Sequence, residues 1–215
     1  MAFISAPVRF GSIRPKPPLV FAGQRIGLLG GSFNPAHAAH KLITDIALRR
    51  LQLDAVWWLV TPGNPLKSHR DLSPLEERLR HCREMADGDC RIQVTAFERE
   101  LPSAYTAATL SFLDQRFRGV RFVWLMGADN LASFHLWQQW QAIAELMPIA
   151  VVDRPGWRLS SMASPAARYL WRHYVAEARA PLLAGMEGPA WTFLTGPLSN
   201  LSSTAIRASR KEKLG

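Results

Sequence analysis

Apolar runs of strand length, alternating with segments of helical period, predict an α/β fold: a single domain built on a doubly wound parallel sheet. Three observations carry this expectation. The apolar runs are continuous, as in strands buried on both faces. The segments between them repeat apolar residues every three or four positions. Loops rich in glycine or polar residues come after the strands, and right-handed crossovers then cover both faces of the sheet.

Taken in chain order, "RIGLLG" (25–30) and "AVWWLV" (55–60) read as buried strands. Between them, "HKLITDIALRRL" places Leu42, Ile43, Ile46 and Leu51 on one helical face, which completes a βαβ unit. "SPLEERLRHCREM" (73–85) predicts a helix with Ser73 as N-cap, Pro74 at the first helical position and Glu76 closing a capping box. The pattern then continues with "RIQVTAF" (91–97) as a strand and "TAATLSFLDQRF" (106–117) as a helix. "RFVWLMG" (121–127) comes next as a strand, "LWQQWQAIAEL" (136–146) as a helix and "PIAVVDR" (148–154) as a strand. Ligands of such sheets bind beyond the carboxyl ends of the strands. The segments 30–40, 61–69, 127–130 and 153–156 each lie just after a strand, so they are expected to line one crevice.

The chain has 215 residues, enough for one domain with a sizeable core. Residues 1–23 hold Pro7, Pro15, Pro17 and Pro18 and predict a flexible, proline-rich extension, with the folded domain spanning 24–215. Hydrophobic residues make up 48% and charged residues 20%, which excludes a disordered chain on composition. No apolar run reaches the roughly 20 residues that span a bilayer, and no signal-peptide core stands at the start, so a membrane partner is not expected. Cys82 and Cys90 suggest neither a disulfide framework nor a zinc site, and a cytoplasmic location fits best. A net charge of +9 points to anionic partners. The basic residues form no stripe interleaved with aromatics, so no nucleic-acid partner is expected. Homo-oligomerisation is left open.

The chemistry concentrates in "GLLGGSFNPAHAAH" (27–40). Gly30 and Gly31 let a ligand approach the main chain, and Pro35 suits a first helical turn whose backbone N–H groups would attract an anion. His37 and His40 are three apart, on one face of that turn. Taken alone the pair reads more readily as partly buried histidines capping a loop than as a ligand site. A second anion-ready feature, "NLSSTAIR" (200–207), supplies Ser202, Ser203 and Thr204 as cap and hydroxyl donors and Arg207 as a guanidinium. Two such helix starts are suited to a polyphosphate.

"GGSFNPAHAAH" together with "LSSTAIR" resembles the paired signatures of the nucleotidyltransferase superfamily of the HxGH type. "NPLKSH", "ERELPSAYTAATL", "GADNLASFHLW" and "DRPG" are similar to segments of its bacterial nicotinate-nucleotide adenylyltransferases. The resemblance runs from about Gly27 to Arg207; it departs at Ala39, where the signature has glycine, and at Leu201, where it has isoleucine. It implies a Rossmann-like nucleotidyltransferase fold and transfer of the adenylyl group of ATP to nicotinate mononucleotide, with Mg²⁺ carried by the ATP. His37 and His40 would be the catalytic pair, with His40 at the α-phosphate. Gly30, Gly31, Ser32, Phe33, Lys67, Ser202, Ser203, Thr204 and Arg207 would hold the ATP and its phosphates. Tyr105, Thr106, Asp129, Trp137 and Arg154 would bind the mononucleotide, Trp137 stacking on its pyridine. The acceptor phosphate is already anionic, so positioning and charge stabilisation suffice without a general base. Two alternatives stay open at this level: another adenylyl- or cytidylyltransferase of the superfamily, such as one acting on phosphopantetheine, and a basic nucleic-acid-binding module without turnover.

Overall fold

The computed structural model describes residues 16–62, 72–101, 103 and 105–197. Six strands run β1 (Arg25–Gly31), β2 (Ala55–Val60), β3 (Ile92–Thr95), β4 (Arg121–Gly127), β5 (Ile149–Val152) and β6 (Trp191–Leu194). Every pairing is parallel, and the strand order is β3-β2-β1-β4-β5-β6. The doubly wound sheet expected from the alternating pattern is therefore present.

Alternation along the strands divides the interior into two layers. Leu28, Trp57, Trp124, Val151 and Phe193 face one core, whereas Leu29, Trp58, Leu125, Val152 and Leu194 face the other. Helices α3 (Thr106–Arg116), α4 (Ala128–Ser133) and α5 (Trp140–Leu146) cover the first face through Leu110, Leu113, Leu131 and Ile143. The second face is covered by α1 (Ala38–Arg50) and α2 (Leu75–Ala86), with Ile43, Ile46, Leu79 and Cys82. Two short helices, α6 (Arg158–Met162) and α7 (Pro165–Tyr169), come after β5. Residues 16–24 form no helix or strand, yet Val20 packs on the first core and the Gly23 N–H donates to the Gly119 carbonyl at 2.7 Å. Among the described residues no helix is long and apolar enough to cross a membrane.

Three local expectations are corrected. Pro74 is extended (φ −50°, ψ 143°) and serves as the N-cap of α2, so Ser73 lies outside the helix and its side chain caps nothing. Glu76 and Glu77 still fall in the first turn, where the helix dipole favours carboxylates. The helix expected over 136–146 starts only at Trp140, because Gln139 takes a left-handed conformation (φ 56°) and Phe134–Leu136 forms a separate 3-10 turn. Leu136, which the helical period would bury, is 66% exposed. The sixth strand has no counterpart in the sequence reading; its Trp191 donates through Nε1 to the Leu170 carbonyl at 2.9 Å, fastening α7 to the sheet edge.

The order of strands reverses its direction of winding between β1 and β4, the point where the loops of such sheets diverge and ligands bind in the crevice between them. Gly30 lies at this point. A Cβ on Gly30 would overlap the Trp124 ring, so the tryptophan packs against bare main chain. Replacing Gly30 with alanine is expected to cost about 1–3 kcal/mol through overpacking. A urea titration reads this as a lower midpoint at unchanged slope; an unaltered midpoint shows instead that Trp124 shifts freely.

Candidate active site

β1 ends at Gly31, and the chain turns through Ser32, Phe33, Asn34 and Pro35 before α1. Phe33 is left-handed (φ 45°), a conformation that costs a non-glycine residue about 1–3 kcal/mol. Full burial of its ring offsets a cost of that size. The ring stacks 5.3 Å from Trp58 and lies 4.5 Å from the His40 ring, so Phe33 forms a floor beneath the histidine.

Pro35 does not enter the first helical turn as expected. The helix starts later, with His37 as its extended N-cap and His40 at the third helical position. The two rings are 3.9 Å apart. The His37 backbone N–H donates to His40 Nδ1 at 3.2 Å, so His40 takes the place of the glutamate in a capping box. Because Nδ1 is the acceptor, the neutral ring carries its hydrogen on Nε2. One turn further, Thr44 Oγ1 donates to the His40 carbonyl at 2.9 Å and accepts from Trp58 Nε1 at 2.8 Å, which ties this turn to β2.

Both imidazoles are held neutral at physiological pH. Burial, then the Arg154 charge, lowers the His37 pKa to about 4. For His40 burial again dominates, with His37 and Arg154 adding to it, and the pKa falls to about 3. His37 Nδ1 is buried and has no hydrogen-bond partner among the described residues. The Arg154 charge and the N-terminus of α1 beside these rings suit an incoming anion.

Arg154 reaches this pair from the loop after β5. Its backbone N–H donates to Asp153 Oδ1 at 2.8 Å, and the buried Asp153 carboxylate also pairs with Arg158, whose Nε lies at 2.8 Å. Arg154 Nε stands 3.9 Å from Asp129 Oδ1 in the first turn of α4. Gly127 permits that approach, since a Cβ there would collide with the Asp129 carboxylate and press on the Arg154 stem at 3.4 Å. The loops after β1, β4 and β5 thus bring together four expected residues: His37, His40, Asp129 and Arg154.

The remaining expected residues lie further from the histidines. Tyr105 is the N-cap of α3 and is 40% exposed; Thr106 opens the helix, and its N–H precedes any intrahelical acceptor. Trp137 sits edge-on to Trp124 at 6.4 Å and to Phe134 at 5.4 Å. Among the described residues no hydrogen bond or ring contact links Tyr105 or Trp137 to the histidine pair. Lys67, Ser202, Ser203, Thr204 and Arg207 fall outside the described residues. Arg78 was not anticipated. Its one signal was a basic residue interrupting the apolar stripe of Leu75, Leu79, Cys82 and Ala86 on α2.

The helix start bearing His37 and His40 at the switch point is the element on which the sequence resemblance rests. A family model described as cytidylyltransferase-like matches residues 28–209. At 54% identity over 189 residues, the chain is similar to a probable nicotinate-nucleotide adenylyltransferase of Mesorhizobium japonicum, spanning 88% of this chain and 96% of that protein. A protein of the same name from Methylorubrum extorquens is 55% identical over 183 residues, covering 85% and 98% of the two chains. The chain belongs to the cytidylyltransferase-like family and, within it, to the nicotinate-nucleotide adenylyltransferases. In fold it is similar to Plasmodium falciparum nicotinic acid mononucleotide adenylyltransferase complexed with NaAD, with a TM-score of 0.65, 15% identity and coverage of 86% and 83%.

The depressed histidines make stability fall with acidification. Below pH 6.5 the unfolded chain protonates both rings, while the folded chain keeps them neutral down to about pH 4 for His37 and about pH 3 for His40. The unfolded state therefore binds more protons in that window, and stability is lost as pH drops through it. Replacing both histidines with glutamine should flatten the slope between pH 6.5 and 4 by up to about 1.4 kcal/mol per pH unit for each ring. Urea unfolding at half-unit pH steps measures it; equal slopes in the two proteins would refute the neutral assignment.

Proposed function

We propose that this chain transfers the adenylyl group of ATP to nicotinate mononucleotide, forming nicotinate adenine dinucleotide and pyrophosphate. A phosphate oxygen of the mononucleotide attacks the α-phosphorus of ATP, a new P–O bond forms, and the bond to the β-phosphate bridging oxygen breaks. The electron pair leaves with pyrophosphate, and no proton has to be removed from the nucleophile.

One observation carries the reading: the neutral His37 and His40 pair at the start of α1, facing Arg154 across the switch point. His40, fixed as the Nε2–H tautomer, donates to a non-bridging oxygen of the α-phosphate, where charge builds in the transition state. The first amides of α1 and the His37 ring beside them serve the same anion. Lys67, Ser202, Ser203, Thr204 and Arg207 hold the β- and γ-phosphates by family resemblance. Asp129 and Arg154, next to the histidines, hold the mononucleotide, and further out Trp137 offers a ring for the pyridine and the amide of Thr106 meets its carboxylate.

Mg²⁺ fits as an ion brought by ATP. The described residues near the phosphates are imidazoles and a guanidinium, and the two carboxylates beside Arg154 already have cationic neighbours, Asp129 in Arg154 and Asp153 in Arg158. Such a donor set suits magnesium that arrives with the nucleotide and would supply positive charge to the leaving pyrophosphate. Work in the cytoplasm agrees with the unpaired state of Cys82 and Cys90.

Pyrophosphate release from ATP and Mg²⁺ with nicotinate mononucleotide, nicotinamide mononucleotide or phosphopantetheine tests the assignment. Nicotinate mononucleotide is expected to be preferred by about tenfold or more, since buried donors matched to a carboxylate reject a carboxamide. Release with another acceptor alone sinks the substrate and keeps the phosphate site. His40→Ala should lower kcat by about 100-fold or more, with acceptor KM changed little. A variant with unaltered kcat removes His40 from the chemistry.

A further inference from the structure

Beneath the phosphate loop lies a charge that the reaction does not use. Arg78, on α2, is 1% exposed and has no carboxylate partner among the described residues. Its guanidinium spends itself on main-chain carbonyls instead. Nε donates to the Ser73 carbonyl at 2.9 Å, Nη1 to those of Ser32 at 2.8 Å and Thr61 at 2.7 Å, and Nη2 to that of Pro62 at 3.2 Å. These carbonyls belong to three separate segments: the loop after β1, the end of β2 and the lead into α2. A second tie joins two of them, for the Ser73 N–H donates to Asn34 Oδ1 at 3.2 Å.

Burying an arginine without a counter-ion is costly, and an apolar side chain of like volume would fill the space. What the guanidinium adds is a rigid fork that holds several acceptors in fixed relation. The acceptor that matters most is Ser32. A trans peptide points its C=O and the next N–H in opposite directions. Drawing the Ser32 carbonyl down onto Arg78 therefore turns the Phe33 N–H away from the buried side, and it sets the residue whose ring underlies His40.

We propose that Arg78 is a positioning residue for the polyphosphate site: it locks the β1–α1 loop to the end of β2, so that the loop amides and His40 meet the nucleotide already in place. The idea rests on the reading of this crevice as the ATP site. It differs from a general stabilising role because its effect falls on nucleotide phosphates and leaves the mononucleotide end unchanged.

The test uses Arg78→Lys and Arg78→Met in the full chain, with Leu183→Ala as a buried control on the same core, in the segment that ends beside the start of β4. Binding of a non-hydrolysable ATP analogue with Mg²⁺ is measured by calorimetry well below each melting temperature, alongside kcat and KM for both substrates. The expected result is analogue binding weakened about tenfold or more in Arg78→Met and about threefold or more in Arg78→Lys, since an ammonium cannot span all four carbonyls. In both, kcat falls and the mononucleotide KM stays within about twofold, whereas Leu183→Ala lowers the melting temperature and leaves analogue affinity unaltered.

Folded Arg78 variants that bind the analogue as the wild type does would overturn the proposal. So would an equal loss of affinity in Leu183→Ala, or failure of both Arg78 variants to fold, because the arginine would then serve the whole domain. If the wild type binds the analogue but releases no pyrophosphate with nicotinate mononucleotide, the acceptor assignment falls, and the binding comparison still decides the role of Arg78.

Discussion

Six parallel strands with apolar side chains on both faces leave the connecting segments little freedom. Each connection must cross the sheet and return, so every strand delivers its next loop to the same edge. The site is a by-product of that constraint. At the reversal between β1 and β4, two neighbouring loops are pulled apart, and helix α1 enters the gap with its N-terminus forward. The glycine at the end of β1 and the Trp124 ring against it complete the floor without filling the opening.

The electrostatics stem from the same geometry. An arginine from the β5 loop, next to the Asp153–Arg158 pair, helps to keep the buried His37 and the half-buried His40 from accepting protons. Repulsion among like charges is thereby avoided in the free protein. Arg78 solves a different problem on the hidden side of the loop, where carbonyl dipoles take the place of a carboxylate. One arginine thus acts on the two histidines and a second, buried one on main-chain carbonyls.

Much of this architecture can be read from the sequence because the burial of both faces writes itself as continuous apolar runs. β1, β2 and β4 fall where "RIGLLG", "AVWWLV" and "RFVWLMG" predict them, and α1 and α3 need only end adjustments. β6 escapes notice because four residues, "WTFL", carry no period; its setting between Gly188-Pro189 and Gly196-Pro197 was the available clue. The delayed start of α5 is a tertiary effect, since Trp137 turns to meet Phe134 and Trp124 instead of continuing a helix. Motif order identified the residues at the strand ends. Periodicity could not reveal that His40 accepts from the His37 amide, or that Arg78 faces inward, because both depend on backbone direction in three dimensions.

The suppressed basicity of His37 and His40 also makes the crevice a proton trap that is set by charge. In the proposed reaction a polyphosphate beside them brings the opposite field to that of Arg154 and raises the affinity of both rings for protons. Occupancy and protonation then reinforce each other. Binding draws protons from the medium on the acid side of neutrality, and the heat of association measured there depends on the ionisation enthalpy of the buffer that supplies them.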